Sequence, residues 1–437
     1  MKIRLKLRSN LIIAAAFLSL ISCNDRRSTS TEEPAKIDTV GTTKVITASA
    51  TPIKISTSHF YFENSGSMDG YVNGHYDIQV VLRELLFAIE SKSDNQKFYF
   101  FNTQPHPQGN STKDFLKKLT TAGIKVGNRS TSDLNLMLET VLSSTKDGDI
   151  SFLVTDGIYS VNGDRATVLG KLKSASVGSF YKFKNRLDKS DVQTILIKLE
   201  SRFNGYYYPA KGGNIKINQN RPYYVWIFGS PERIDRVRKE VNFTNLPGYL
   251  NHAIFQVNEE ESPYYSIHPS YAREGEFRNE RSGKVGGPVT SITNVEKDRR
   301  SGGFQFAVGV DMKKVTAEES YILKPENYQL SSDKYQIKEI VTADNLTGKH
   351  ANQIQGTPIT HLIVLNTSSY PVDNLEISLS NKLPAWIGKT HSNDDSKIKG
   401  DSETTFGFQY LIDGIARAYQ RQSDSPEYFN ISVNIKK

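Results

Sequence analysis

The amino-acid sequence predicts an α/β fold with a mainly parallel sheet flanked by helices, followed by a β-rich, sandwich-like region. From about residue 56 to 245, short apolar runs alternate with segments whose apolar residues recur every three or four positions. That alternation is typical of parallel strands covered by helices on both faces. From about 250 to 437, short apolar runs are separated by Gly, Asn, Asp and Ser, which favours a β sandwich.

The individual elements follow from local periodicity. Residues 60–62 form a short apolar strand, and apolar residues from Ile78 to Ile89 recur at helical spacing. The same criteria predict further strands at 97–102, 150–155, 192–199 and 223–228, and helices at 115–119, 134–142, 168–186 and 231–241. In the second region they predict strands at 304–308, 335–341, 362–365, 375–379 and 429–435, and one helix at about 406–420. The polar stretch 259–303 is expected to be a long loop or a linker.

Composition limits the possible partners. The chain has 437 residues, 37 % of them hydrophobic, which suits a soluble-type protein of two or three domains. Lys and Arg number 55 against 47 Asp and Glu, and four of those bases are Lys2, Arg4, Lys6 and Arg8. The rest of the chain is therefore nearly balanced in charge. Nucleic acid is not expected as a partner, because phosphate binding needs a concentrated basic face.

The first residues predict export and lipid anchoring. Four bases precede a short apolar run, 11–20, which is too short to span a bilayer and is typical of a signal peptide, here residues 1–23. The segment 20–23 (LISC) resembles the lipobox of bacterial lipoproteins, which implies that Cys23, the only cysteine, carries the lipid. The alternative is an ordinary secretory peptide with a chance cysteine. Residues 24–55 are rich in Ser and Thr and are expected to form a flexible tether.

Three loops of the first region carry hard oxygen ligands. They are 63–68 (ENSGSM), 130–134 (STSDL) and 155–157 (TDG), and each follows a predicted strand or precedes a predicted helix. Their side chains supply carboxylates and hydroxyls, without imidazole or thiol. Such a set suits Mg²⁺ or Mn²⁺ better than zinc.

At these loops the chain resembles the von Willebrand factor A (vWA) domain, whose metal-ion-dependent adhesion site uses a DxSxS loop, a distant Thr and a distant Asp. The resemblance covers about residues 56–245. SGSM matches the serine loop, TDG matches the loop after the fourth strand, and Ser132 takes the place of the threonine, with Thr131 as the alternative. The resemblance implies the metal ligands Glu63, Ser65, Ser67, Ser132 or Thr131, and Asp156. It also implies a partner carboxylate that completes the coordination of the ion.

The sequence departs from this family at Glu63, where the family has Asp. The longer side chain either reaches the ion directly or crowds the site so that no metal binds. Each residue also has a purely structural interpretation. Ser65 and Ser67 are candidates for capping the following turn, Ser132 or Thr131 for a helix N-cap, and Asp156 for binding loop amides. Asp69 is expected to be a turn residue and Asn64 to shape the loop.

The functional expectation is a lipid-anchored protein of the cell envelope, at the outer membrane or cell surface, that binds a protein partner through a divalent cation. Two alternatives remain open. One is a metal-free vWA-like scaffold in an envelope complex. The other is an envelope glycan hydrolase with Glu63 and Asp156 as its acid and base. We expect no catalysis, since the chain has no HExxH, GxSxG or P-loop motif and its eight histidines lack ligand spacing.

Overall fold

A computed structural model describes residues 54–73, 77–129, 132–161, 163–258, 262–280, 287–369, 373–423 and 426–436. The predicted signal peptide and its Cys23 lie outside the described residues. So do Thr131 and all but the last two residues of the predicted tether. Residues 52–437 form one compact unit.

The first part of the chain alternates strands with helices, as the apolar periodicity predicts. Its elements are β1 (Ile55–Glu63), α1 (Asp69–Val72), α2 (Asp77–Glu90), β2 (Ser93–Phe101), β3 (Pro105–Gly109), α3 (Thr112–Lys118), α4 (Leu134–Ser144), β4 (Ile150–Thr155), α5 (Arg165–Leu187), β5 (Gln193–Tyr207), β6 (Ile215–Gly229), α6 (Pro231–Glu240) and β7 (Tyr249–Phe255). In α2 the apolar residues spaced by three and four positions are the buried ones, so a single face of this helix packs on the sheet.

These strands form one sheet of seven, in the order β3-β2-β1-β4-β6-β5-β7. The sheet is mixed, which corrects the expectation of a mainly parallel one. Only β1 pairs in parallel with its neighbours, β2 and β4, whereas the other four pairings are antiparallel. For β5 and β6 the reason is the connection between them. It spans only residues 208–214, and a parallel crossover needs a dozen residues or more.

The β5–β6 hairpin extends beyond the rest of the sheet. β4 ends at Thr155, which lies opposite Tyr224 of β6, and Tyr224 in turn lies opposite Lys198 of β5. Both hairpin strands continue past this point, to the pair Tyr207 and Ile215. The extension therefore projects from the carboxyl edge of β1 and β4, where ligand sites of such sheets are found.

The sheet separates two apolar cores. Side chains from α1, α2, α3 and α6 pack on one face, and those from α4, α5 and two later helices pack on the other. Alternation along β1 supplies both cores, since Phe60 and Phe62 belong to the first and Tyr61 to the second. The structure is thus a three-layer α/β arrangement around a seven-stranded sheet.

The remainder of the chain is rich in strands. Its elements are β8 (Tyr265–His268), β9 (Glu276–Glu280), β10 (Ser291–Glu296), β11 (Phe304–Val310), α7 (Glu319–Ile322), β12 (Tyr328–Leu330), β13 (Gln336–Thr342), α8 (Gly348–Ile354), β14 (His361–Thr367), β15 (Asn374–Ser380), α9 (Ala385–Thr390), β16 (His391–Ser392), β17 (Thr405–Phe406), α10 (Phe408–Gln422) and β18 (Glu427–Ile435). The stretch 259–303, expected to be a loop or linker, contains three of these strands.

Two sheets of this region share one core. Their orders are β12-β15-β18-β10-β9 and β13-β14-β11-β8, and apolar side chains of β11 and β14 meet those of β15 and β18. This region is therefore β-rich and layered, as expected. The predicted helix near 406–420 is α10, which packs against α5 over the seven-stranded sheet. The proposed domain boundary at 245–250 stays a prediction, although β7, at 249–255, pairs in the first sheet.

Candidate metal site at the carboxyl edge of the sheet

The last residue of β1, Glu63, lies in the interior of the molecule. Its side chain is 2 % exposed. The parallel register that pairs Phe62 with Val154 places Glu63 beside Thr155, the last residue of β4. The Thr155 hydroxyl donates a hydrogen bond of 2.5 Å to Glu63 Oε2. Strand pairing thus fixes where this carboxylate stands.

Asp156, the next residue after β4, is 1 % exposed. Its Oδ1 accepts a hydrogen bond of 3.0 Å from the Ile158 N–H, so the expected binding of a loop amide is present. Its Oδ2 is also buried and makes no hydrogen bond within 3.5 Å among the described residues, although the Ser67 hydroxyl lies close enough to this carboxylate to influence its pKa. A buried hydrogen-bond acceptor that has no donor lowers the stability of the folded state unless a ligand binds it.

The two carboxyl groups disturb each other. Burial raises the pKa of Glu63 well above its ordinary value, and the neighbouring charge of Asp156 raises it further. Burial also raises the pKa of Asp156, against the opposing effects of the Ser67 hydroxyl, the Ile158 N–H and the Arg221 charge. Two buried carboxylates cannot both stay ionised without compensation. A proton on one of them, or a cation between them, would remove the conflict.

Serine hydroxyls surround the acids. Ser65 and Ser67 lie within 3.0 Å of each other, measured between their Oγ atoms. The hydroxyls of Ser65 and Ser132 oppose the rise of the Glu63 pKa, so both lie close to that carboxylate. The structure therefore brings together Glu63, Ser65, Ser67, Ser132 and Asp156, the described members of the predicted set. It adds Thr155, whose hydroxyl the sequence reasoning left out of that set.

The capping interpretation of these serines does not fit the contacts. Ser65 precedes a short 3₁₀ turn at 66–68, yet its side chain makes no capping hydrogen bond. The N-cap of α4 is Asp133, whose carboxylate accepts from the Leu136 N–H at 3.0 Å. Ser132 instead lies 3.2 Å from the Ser160 hydroxyl. The hydroxyls of Ser65 and Ser132 are thus not used to cap these helical segments.

Arg129 holds the loop after β1 in place. Its Nε donates to the Asn64 carbonyl at 2.6 Å, and its Nη2 donates to the Ser65 carbonyl at 3.0 Å. The same nitrogen forms an ion pair with Asp69. Asn64 shapes the loop as expected, because its side-chain amide donates to the carbonyls of Ile124 and Val126, both at 2.8 Å. Asp69 is more than a turn residue, since it anchors this arginine.

A second arginine places a positive charge beside the site. Arg221, on β6, is 1 % exposed, and its guanidinium stacks 5.4 Å from the centre of the Tyr207 ring. Its Nη1 donates to the Asp401 carbonyl at 2.8 Å. Its charge opposes, as the smallest of the causes, the rise that burial produces in the pKa of Asp156. Neither arginine belongs to the predicted set: Arg129 precedes the 130–134 loop but has no place in the ligand pattern, and Arg221 reaches the site from β6.

The hairpin covers one side of the site. A Cβ built on Gly66 would lie 3.3 Å from the Tyr208 hydroxyl, so this ring stands directly over the serine loop. Deeper in, Gly70 leaves no room for a side chain, since an added Cβ would come within 2.3 Å of the Phe203 ring. Ser67, Ser132 and Tyr208 retain solvent exposure. They are residues around the two buried acids that face solvent.

The donor set fits a hard divalent cation. Two carboxylates and several hydroxyls converge, one carboxylate oxygen lacks a partner, and every donor is oxygen. No group of three His, Cys, Asp or Glu residues gathers in the part of the chain that the structure describes. Any metal here would therefore be bound largely by hydroxyls and water, with two acids supplying the charge.

The chain has little detectable similarity to known proteins. No family model matches the chain, and no curated protein matches it. A solved structure of an aerotolerance-related membrane protein from Bacteroides fragilis NCTC 9343, with multiple mutations to serines, is similar at 11 % identity and a TM-score of 0.23, over 42 % of this chain and 87 % of that one. No family is identified. A similarity of this degree assigns neither a family nor a function to the chain.

Among the described residues, no helix combines the length and the apolar character needed to cross a bilayer.

Proposed function

We propose that the seven-stranded sheet is a vWA-type domain whose variant adhesion site, with Glu63 in place of Asp, binds Mg²⁺ or Mn²⁺. In this proposal the protein is held at the envelope through lipid on Cys23 and recognises a carboxylate on a protein partner. Glu63, Ser65, Ser67, Ser132 and Asp156 hold the ion, and Thr155 positions Glu63. The observation that carries the proposal is the buried, unpartnered Oδ2 of Asp156 beside a second buried carboxylate.

Charge balance supports a partner carboxylate. Glu63 and Asp156 carry two negative charges when both are ionised, and Arg221 supplies one positive charge close by. Arg129 contributes no further surplus, because it is paired with Asp69. A divalent cation would change the net charge of the site from −1 to +1. An incoming carboxylate would then neutralise the site, as the low dielectric of its surroundings favours.

The test is calorimetric titration of Mg²⁺ and Mn²⁺ into the full chain, with Ser65→Ala/Ser67→Ala as the comparison. The proposal expects saturable binding of one ion that the double variant abolishes. A matched control is Ser143→Ala/Ser174→Ala, which removes two hydroxyls from helix surfaces outside the site. Absence of binding to the native chain contradicts the proposal, and so does equal binding by both double variants.

One observation favours a second candidate, the metal-free scaffold. Thr155 already donates to Glu63, and Arg221 already offsets Asp156, so a proton on Glu63 would make the site neutral without an ion. In that case the loops serve only to hold the carboxyl edge together. Replacing the two serines would then change thermal stability but reveal no cation dependence in either protein.

A further inference from the structure

A cavity of about 740 Å³ opens at the same edge of the molecule. It lies between the start of α5, the connection between β5 and β6, and the segment 393–396. Its volume is within the range typical of small-molecule sites, about 300–1,000 Å³. Ala210 lines this cavity, two residues beyond the Tyr208 that covers the serine loop.

The floor of the cavity is apolar. Leu169 is the partly exposed apolar residue of α5 that faces the cavity, and Val168 and Leu172 lie buried beside it at helical spacing. Phe406 and Tyr410 close the floor from the later part of the chain. Such a surface favours a ligand whose body is an aromatic or branched apolar group.

The rim of the cavity carries acidic and basic residues, and the two kinds differ in whether they have hydrogen-bond partners. Asp395 accepts hydrogen bonds from the Ala210 N–H at 3.0 Å and from the Tyr207 hydroxyl at 3.2 Å. Asp394 accepts from the Ser396 N–H at 2.9 Å. The acids of the rim therefore have donors of their own.

The two basic residues of the rim, Arg165 and Lys211, are exposed at the cavity mouth. Neither side chain makes a hydrogen bond or an ion pair within 4 Å with the described residues. Arg165 interacts with Asp394, and Lys211 with Asp164, only through longer-range electrostatics. Their donors are thus available to an anion. The planar guanidinium of arginine is well suited to hold a carboxylate through two hydrogen bonds.

We propose that this cavity is a second binding site, which takes a small molecule with an apolar body and one carboxylate. The body lies against Leu169 and Tyr410, above the buried Val168 and Leu172, and the carboxylate lies between Arg165 and Lys211. The proposal stands independently of the metal site, because none of these residues belongs to the candidate metal ligands.

The test uses N-acetyl-tryptophan as the probe and N-acetyl-tryptophanamide, which has the same body without the charge, as its counterpart. Each is titrated into the full chain and followed by calorimetry. We expect saturable binding of the acid, and binding of the amide weaker by about tenfold, because a charge-assisted hydrogen bond is lost. The double variant Arg165→Gln/Lys211→Gln should weaken binding of the acid by a similar factor.

A matched double variant, Lys173→Gln/Lys216→Gln, removes the same charge from exposed positions that do not line the cavity. It should bind the acid as the native chain does. The proposal is overturned if the acid shows no saturable binding or if the amide binds equally well. It is also overturned if the control variant loses as much affinity as Arg165→Gln/Lys211→Gln, since attraction would then come from net charge alone.

Discussion

The two halves of the molecule treat buried charge differently. The buried Asp, Glu, Lys and Arg residues of the seven-stranded sheet and its loops are Glu63, Asp149, Asp156, Lys198 and Arg221, and the buried Asp395 of the later half packs against the same sheet's hairpin. Across the described part of the two paired sheets, β8 to β15 and β18, no Asp, Glu, Lys or Arg is buried to that degree. The paired sheets are therefore held by apolar contact. The first sheet carries charges whose desolvation opposes folding, and such clusters are typical of functional sites.

Removal of Arg221 is expected to have the largest effect. Arg221→Met takes away the buried positive charge beside Asp156 and the hydrogen bond to the Asp401 carbonyl. We expect the free energy of unfolding, measured by chemical denaturation, to fall by about 3–5 kcal/mol, because a buried charge is left without its partner. Mg²⁺ should restore part of this loss, since an ion can replace the missing positive charge.

Phe306→Ala in the apolar core of the paired sheets is the comparison for this change. Phe306 is fully buried, and its truncation should cost a similar amount, about 3–5 kcal/mol, through the cavity left behind. Mg²⁺ should not affect that loss. If magnesium affects both variants alike, the contrast between the two halves is wrong. Arg202→Met, on the same hairpin but exposed, controls for loss of an arginine as such.

Glu63→Gln should separate the effect of the cation from that of packing. Burial already disfavours the charged form of Glu63, so without metal the neutral amide should change the free energy of unfolding by less than about 1 kcal/mol. With Mg²⁺ at a hundred times its dissociation constant, the native chain should gain about 2.7 kcal/mol and the variant nothing. Thermal unfolding with and without Mg²⁺ measures both quantities.

The control for Glu63→Gln is Glu84→Gln, which changes an exposed carboxylate on α2. It should respond to Mg²⁺ as the native chain does. A native chain that Mg²⁺ fails to stabilise would favour the metal-free scaffold. A Glu63→Gln chain that gains as much as the native one would show that the ion binds elsewhere.

The smallest expected effect concerns pH. Burial lowers the pKa of His59, although Asp149, 3.4 Å away, partly opposes this. The folded state therefore resists protonation more than the unfolded state does. The contribution to stability is present above the unfolded pKa of about 6.5 and is lost as the pH falls through that value toward the lower folded pKa. Denaturation at pH 7.5 and 5.0 should show the loss.

His59→Gln should reduce the loss of stability between these two pH values by less than about 1 kcal/mol. The comparison is the native chain, measured at the same two pH values. An unchanged pH dependence in His59→Gln would assign the acid sensitivity to other groups.

Much of the fold could be predicted from the sequence because its signals are local. The apolar faces of α2, α4 and α6 lie within single helices, and the structure confirms these helices to within a few residues. Strand pairing could not be predicted in the same way. Apolar runs in β5 and β6 are compatible with parallel or antiparallel neighbours, and the choice depends on the short turn between them. The strands β8, β9 and β10 were missed because few of their residues are buried.

The candidate site likewise has residues that local sequence signals predict and residues that they do not. Its acids and serines follow strand ends or precede a helix, so the order of elements is sufficient to bring Glu63 and Asp156 together. The two arginines carry no such signal. Both donate to backbone carbonyls of residues far away in the sequence, and any residue type can supply a carbonyl. The pair of Arg129 with Asp69 joins residues 60 positions apart, which local patterns do not reveal.

The contact between Arg221 and the Asp401 carbonyl joins residues 180 positions apart. Ala210 and Asp395 are joined over a similar distance, 185 positions. At a synthesis rate of about 5–20 residues per second, the hairpin waits roughly 9–36 seconds for the segment that completes its surroundings. A chain interrupted before residue 390 has every proposed metal ligand but lacks these contacts. The surroundings of the hairpin are therefore completed only after the segment 395–401 has been synthesised.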